Sequence, residues 1–206
     1  MNAAVLKHLA AADPVMRRLI RATGACGLKP ETRRPPFQSL AQAIAHQQLN
    51  GTAAGHILAR FKKLFPGRRF PRAEDLAAVT DEQLRACGFS FAKIKALRDL
   101  ADKTRSGVVP PSRVIVKLAD EEIITRLTEV RGVGRWTVEM LLIFQLGRPD
   151  VLPADDFGVR SGFRAAYGGT DLPKPRDLLA FGERWKPHRT TAAWYLWRAA
   201  DAKKKK

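Results

Sequence analysis

The sequence predicts an all-α protein, and three observations carry that expectation. Apolar residues recur at helical spacing along almost the whole chain. Residues that start and stop helices bracket those stretches. Nothing longer than a few residues alternates with period two; Arg113 to Leu118 (RVIVKL) is the only strand-like piece and reads as a loop or short turn.

Taken in order, Asp13-Pro14 is a helix cap followed by proline at the first helical position, and Gly24 and Gly27 end that segment. A connector with Pro30, Pro35 and Pro36 leads into a helix over Phe37 to Leu49. A second runs from Thr52 to Phe65, with Ile57, Leu58, Phe61 and Leu64 on one face, and stops at Pro66-Gly67. Thr80-Asp81-Glu82-Gln83 has the form of a capping box for a short helix closed near Gly88. Phe91 to Arg105 aligns Ile94, Leu97, Leu100 and Ala101, and Pro110-Pro111 is a break. Asp120 to Val130 is helical, Arg131 to Gly134 interrupts, and Arg135 to Leu146 is apolar enough to be a buried helix. Asp155 to Tyr167 and Lys174 to Trp185 follow, and a last helix starts at Pro187 and ends near Ala202.

A chain of 206 residues with 45% hydrophobic residues fits one globular domain or two tightly packed subdomains. No apolar run is long enough to cross a bilayer, and the N-terminal MNAAVLKHLAAADP lacks a signal-peptide pattern, so an intracellular location is expected. Cys26 and Cys87 lie in no C-x-x-C motif, and the four histidines lack zinc-ligand spacing. Two buried free thiols are expected, with no structural zinc and no four-cysteine cluster. Lys and Arg total 37 against 20 Asp and Glu, a formal charge of +17. The terminal lysine run Lys203 to Lys206 contributes only part of that excess, which points to a polyanion, for a soluble basic protein most often nucleic acid, with a highly charged but inert surface as the plain alternative.

Between two helical stretches, Val130-Arg131-Gly132-Val133-Gly134 places two glycines one residue apart. Glycine permits positive φ and leaves backbone N–H groups bare, and N–H groups at the start of the next helix can grip a phosphate oxygen. The pattern hydrophobic-x-Gly-hydrophobic-Gly is that of a helix-hairpin-helix DNA-binding motif, spanning about 120–146 with Gly132, Gly134 and Arg135 as candidate contacts; a generic helix corner is the plain alternative. After the next helix, Gly147 to Phe157 (GRPDVLPADDF) is a Gly/Pro-rich loop of about 147–157 ending in paired carboxylates. Both favour a helix start. Neighbouring carboxylates there point in different directions, so Asp155 is expected to cap and Asp156 to face a cleft. Gln47-Gln48-Leu49-Asn50-Gly51 would make poor core and reads either as an exposed loop or as a plain cap at Asn50-Gly51.

The hairpin, an apolar helix, and an Asp after a Gly/Pro-rich loop, in that order, resemble the helix-hairpin-helix glycosylases with a Gly/Pro–Asp loop. Within them, Gly134 to Thr137 (GRWT), Leu152 to Phe157 (LPADDF), and Glu183 to Arg189 (ERWKPHR) with Trp194 and Trp197 behind them resemble the 3-methyladenine DNA glycosylase II family, over about Pro36 to Arg198. The resemblance implies a two-subdomain helical fold with the active-site cleft between subdomains. The expected fold has no counterpart of the N-terminal β domain of the bacterial inducible enzyme and in this is similar to the compact yeast-type members. The resemblance also implies Asp156 as the catalytic carboxylate, and Trp136, Trp197, Phe157 and Met140 at base-pocket positions. Met140 stands where the bacterial enzyme has tyrosine. Gln48 and Leu49 match residues that fill the gap left by a flipped base, and Asn50 could touch bases in the minor groove. Trp185 and Trp194 are assigned to the core.

The expected activity is release of alkylated bases, of the 3-methyladenine and 7-methylguanine type, in base excision repair. The lyase members carry lysine two residues after the second hairpin glycine; here that position is Trp136, so strand cleavage through a Schiff base is not expected. No cofactor is implied, though some relatives hold a monovalent cation at the hairpin carbonyls. The expected partner is double-stranded DNA with damaged bases, bound by a monomer away from membranes, in the cytoplasm or nucleoid of a bacterium or the nucleus of a eukaryote. A same-fold glycosylase for deaminated or oxidised bases and a non-catalytic helix-hairpin-helix module are the competing readings.

Overall fold

The structure, a computed structural model, describes residues 3–204. Among them are twelve α-helices and two short 3-10 turns, and no strand. The helices divide between two compact units. The terminal unit holds the described residues up to Glu31 and those from Leu142 onward; the central unit is Thr32–Leu141.

In the terminal unit, α1 (Ala3–Ala12) and α2 (Pro14–Thr23) are joined at Asp13, whose carboxylate caps α2 by accepting from the N–H groups of Val15 and Met16. The sequence reading missed α1, although its alanines are the best helix formers and Leu9 is fully buried. The rest of the unit is α10 (Phe157–Tyr167), α11 (Pro175–Gly182) and α12 (Arg189–Lys204), with a 3-10 turn at Glu183–Trp185. Its core gathers Leu9, Met16, Leu152, Val159, Leu178, Trp185, Tyr195 and Leu196. Trp185 is fully buried as expected, and Trp194 is only half-buried at the core's edge. α10 runs along α12 at backbone contact: a Cβ on Gly162 would lie 1.8 Å from the Leu196 carbonyl oxygen.

The central unit contains α3 (Pro36–His46), α4 (Gly51–Lys63), a 3-10 turn at Glu74–Ala78, α5 (Asp81–Ala86), α6 (Phe91–Arg105), α7 (Ser112–Ile115) and α8 (Asp120–Thr128). The helix α9 (Arg135–Phe144) starts in this unit, and its last three residues belong to the other. The strand-like RVIVKL piece opens with the single helical turn α7, because its first residues follow Pro111 into a helical turn with Ile115 buried. The capping box at Thr80 forms as read, with Gln83 N–H to Thr80 Oγ1 at 3.3 Å and Thr80 N–H to Gln83 Oε1 at 2.8 Å. α6 packs on α3, and Phe61 of α4 meets Phe65, Phe70 and Phe89 edge to face. Cys26 and Cys87 are buried free thiols. Among the described residues no helix is long and apolar enough to cross a membrane.

Candidate active site

The segment between α9 and α10 is fastened to the first turn of α12. Thr190 Oγ1 donates to the Arg148 carbonyl (2.7 Å) and accepts from the Val151 N–H (2.9 Å), while Thr190 N–H donates to the Pro149 carbonyl (3.1 Å). Arg189 grips Asp150 with both branches, Nε to Oδ1 at 2.8 Å and Nη2 to Oδ2 at 2.9 Å. That pair is bidentate and partly shielded from water, the geometry in which an ion pair holds shape well. Val151, Leu152, Pro153 and Ala154 are then drawn into the interior, and Asp155 emerges exposed.

Asp156 follows at the junction with α10. Its backbone is extended (φ −65°, ψ 125°), and its Oδ1 accepts from the N–H of Val159, three residues on, at 2.7 Å. Asp156 is therefore the cap of α10, and the division expected from sequence, with Asp155 capping, is corrected. Asp155 stands one residue too early for its side chain to reach the first free N–H groups, and it points to water. The same Oδ1 of Asp156 also accepts from Trp197 Nε1 at 2.8 Å. Trp197 lies on α12 two turns beyond Arg189, so one helix holds the loop at both ends. Gly158 makes room for this: a Cβ there would lie 2.8 Å from Trp197 Cδ1 and 3.1 Å from Asp156 Oδ1. The Trp197 ring stacks on Phe144, with centroids 5.6 Å apart and planes at 27°.

In the central unit, two loops converge on α6. The turn after α3 carries Gln48 at φ 57°, a left-handed conformation that costs a residue with a Cβ about 1–2 kcal/mol. This turn ends α3 at His46, three residues before the boundary read from the sequence. It leaves Leu49 41% exposed. Asn50 is the N-cap of α4, its Oδ1 accepting from Ala53 N–H at 2.8 Å. The other loop is the hairpin between α8 and α9. Val130 and Val133 are buried, Gly132 turns at φ 75°, and Gly132 and Gly134 are exposed. Side chains of α6 fix it: Asp99 accepts from the Arg131 N–H (2.7 Å), Lys103 donates to the Glu129 carbonyl (2.6 Å), and Ala96 lies under Gly132. In the first turn of α6, Lys93 donates to the Ala45 carbonyl (2.8 Å) at the end of α3. Gln47 joins the two loops directly, its Nε2 donating to the Gly132 carbonyl at 2.8 Å.

Comparison with known proteins decides the family. The model of the HhH-GPD superfamily of base excision DNA repair proteins matches residues 41–188, which takes in the hairpin and the Asp156 loop. The chain belongs to this superfamily. It is 41% identical over 196 residues to DNA-3-methyladenine glycosylase 1 of Schizosaccharomyces pombe, covering 94% of this chain and 85% of that protein. The structure of the 3-methyladenine DNA glycosylase Mag1 of that yeast, in complex with abasic DNA, superposes with TM-score 0.85 at 40% identity over 95% of this chain and 96% of the other. The crystal structure of a DNA-3-methyladenine glycosidase of Bacillus halodurans gives TM-score 0.90 at 33% identity over 100% and 93%.

Within this HhH-GPD chain, the residues singled out from sequence fall into groups. Asp156 and Trp197 are in direct contact. Phe157, beside Asp156 at the start of α10, is 65% exposed and makes no ring contact among the described residues. Trp136 and Met140 lie one turn apart on α9, with Trp136 49% exposed and Met140 half-buried. Gln48, Leu49 and Asn50 form one turn, and Gly132 and Gly134 one hairpin. Arg135 is held by carboxylates, with Nη1 and Nη2 on Glu121 (3.1 and 2.7 Å) and Nε on buried Glu139 (3.1 Å). Its guanidinium holds the Glu121 carboxyl below its ordinary range through these hydrogen bonds. Sequence reasoning missed Phe144, taken as part of a buried helix but 43% exposed, and it missed Gly158, Arg189 and Gln47. The ERWKPHR stretch held Arg189 in plain view; nothing local marked its partner as Asp150. Among the described residues no group of three or more His, Cys, Asp or Glu side chains could hold a metal ion. A cation at the hairpin would rest on backbone carbonyls, of which Val130 and Gly132 each already accept one hydrogen bond.

Proposed function

We propose that this protein is a DNA glycosylase that flips an alkylated base out of duplex DNA and hydrolyses its N-glycosidic bond, with Asp156 as the catalytic carboxylate. The observation that carries the reading is the fixed Asp156: Oδ1 held by Val159 N–H and Trp197 Nε1, on a loop clamped to α12 by Arg189 and Thr190. Leaving of the base builds positive charge on the sugar, and a preordered carboxylate stabilises that charge without reorganising and can orient the attacking water. An N-alkylated purine is already a good leaving group, so no separate general acid is required.

A base inside a duplex is out of reach, and unstacking it costs a few kcal/mol. Leu49 and Gln48, presented on a strained turn, are the residues to fill the vacated space, with Asn50 beside them. The hairpin's Gly132 and Gly134 offer backbone to a phosphate, which positions the protein without reading sequence. Trp197, hydrogen-bonded to Asp156, is an aromatic face on which an electron-poor, positively charged base would stack. Trp136 stands where a lyase would carry lysine, so the product is an abasic site in an uncut strand. The protein acts as a monomer on damaged duplex DNA, in the compartment that holds the cell's DNA.

Duplexes containing 3-methyladenine, 7-methylguanine, hypoxanthine, uracil or 8-oxoguanine, incubated with excess protein and scored for free base and for nicks, test the reading. Release of the alkylated purines without nicking is expected. Release only of the deaminated or oxidised bases would move the substrate class, and DNA binding with no base released would overturn the enzymatic reading.

A further inference from the structure

Gln47 is not among the residues that face outward on the turn after α3. It is half-buried, and its side-chain amide crosses to the hairpin, 85 residues away in sequence, to donate to the Gly132 carbonyl. The Gly132–Val133 peptide is thereby held from both sides, because the Val133 N–H donates to the Val130 carbonyl at 3.0 Å. The next residue, Gln48, is the non-glycine residue with positive φ among the described residues. A strained residue persists only where its neighbours over-determine it. Here the neighbours are Gln47, anchored on the hairpin, the Leu49 N–H bonded to the His46 carbonyl (3.1 Å), and Asn50, anchored as the cap of α4.

We propose that Gln47 is a positioning residue that ties the Gln48–Asn50 turn to the hairpin, so that a phosphate gripped by the hairpin and a base gap filled by Leu49 are presented as one preset unit. The inference rests on the DNA-contacting roles proposed above for both loops. If the hydrogen bond holds the turn, removing it leaves the hairpin's grip on undamaged DNA in place, since α6 still fixes the hairpin through Asp99 and Lys103. The loss falls on the step that uses Leu49, insertion and flipping. A single hydrogen bond of this kind corresponds to a several-fold effect.

The test is a mutant cycle of Gln47→Met and Leu49→Ala. Two quantities are read: fluorescence of 2-aminopurine placed beside an abasic-site analogue in a duplex, which reports insertion without chemistry, and the single-turnover rate of base release. Gln47→Met is expected to lower insertion and rate about fivefold, to change affinity for undamaged duplex by less than twofold, and to add nothing in the Leu49→Ala background. Wild-type insertion unchanged by Gln47→Met, an equal further loss in the Leu49→Ala background, or a loss confined to undamaged-DNA affinity would each overturn the proposal. Should Gln47→Met lose its helical circular dichroism, Gln47→Asn, one methylene too short to reach Gly132, takes its place with the same expected outcome. Absence of base release by the wild type counts against the glycosylase reading alone, because the insertion signal needs no catalysis.

Discussion

In the terminal unit the group proposed as catalytic is a side chain, and the fold brings side chains to hold it: Asp156 by Trp197, its loop by Arg189 and Thr190, all three on α12. In the central unit the exposed groups are backbone and loop, and the fold holds them through carbonyls and N–H groups, by Lys93, Asp99 and Lys103 of α6 and by Gln47. The difference matches what each region has to supply under the proposed function. Stabilising a developing charge requires one carboxylate fixed to within a fraction of an ångström. Gripping a phosphate and filling a base gap requires a backbone shape, including a strained Gln48 and a turned Gly132, that no single side chain provides. Substitutions on α10 and α12 should therefore change the rate of base release, and substitutions in the central unit should change how DNA is engaged.

The largest effect on folding is expected where α10 meets α12. Gly162→Ala drives a Cβ into the Leu196 carbonyl, and separating the helices is expected to cost more than about 3 kcal/mol, read by urea unfolding. Next is Asp13, nearly fully buried, whose Oδ2 accepts from Tyr167 Oη (2.6 Å) and Trp185 Nε1 (3.0 Å). Burial pushes its carboxyl up, and the hydrogen bonds from Tyr167, Trp185, Met16 and Val15 outweigh that, leaving it below its ordinary 3.8. A depressed value means that the stabilisation is present above pH 3.8 and is lost as pH falls through the lower, folded value. Asp13→Asn is expected to cost about 1–3 kcal/mol at neutral pH, and the gap in Tm between variant and wild type should narrow below pH 3.8.

Smaller effects sharpen the contrast between the units. Trp197→Phe keeps a ring against Phe144 and removes the donor to Asp156. It should slow single-turnover release roughly tenfold, the equivalent of about 1.4 kcal/mol, with DNA affinity little changed. Arg135→Gln should do least to DNA binding. Its guanidinium is already committed to Glu121 and Glu139, so the slope of log Kd against log salt is expected to change by less than the roughly 0.9 that one lost phosphate contact gives. A full unit of slope would show that Arg135 leaves its carboxylates for the DNA.

The helices were legible because their signals are local. Thr80 with Gln83 and Asp13 with Pro14 mark starts that form as read, and periodicity placed α6 at its observed bounds, Phe91–Arg105. The hairpin and the Asp156 loop were legible because their residue order is distinctive. What was not legible depends on tertiary partners. The pair Asp155-Asp156 looks symmetrical in sequence, and only the backbone of the Pro153–Asp156 turn decides which carboxylate reaches Val159. Phe144 has the composition of a buried residue and lies outside because α9 ends there, in the terminal unit, against Trp197. Gln47 reads as one more polar residue near a helix end until Gly132, far along the chain, is placed beside it.

Asp156→Asn tests the central claim most directly. Asparagine caps a helix about as well as aspartate, so α10 and the hydrogen bond from Trp197 should survive, and the variant should unfold within about 1 kcal/mol of wild type. With protein in excess over a duplex containing 7-methylguanine, the rate of base release is expected to fall at least about a hundredfold, while affinity for a duplex with an abasic-site analogue stays within about threefold. Release by the folded variant at a rate close to wild type would contradict the assignment of Asp156 as the catalytic carboxylate.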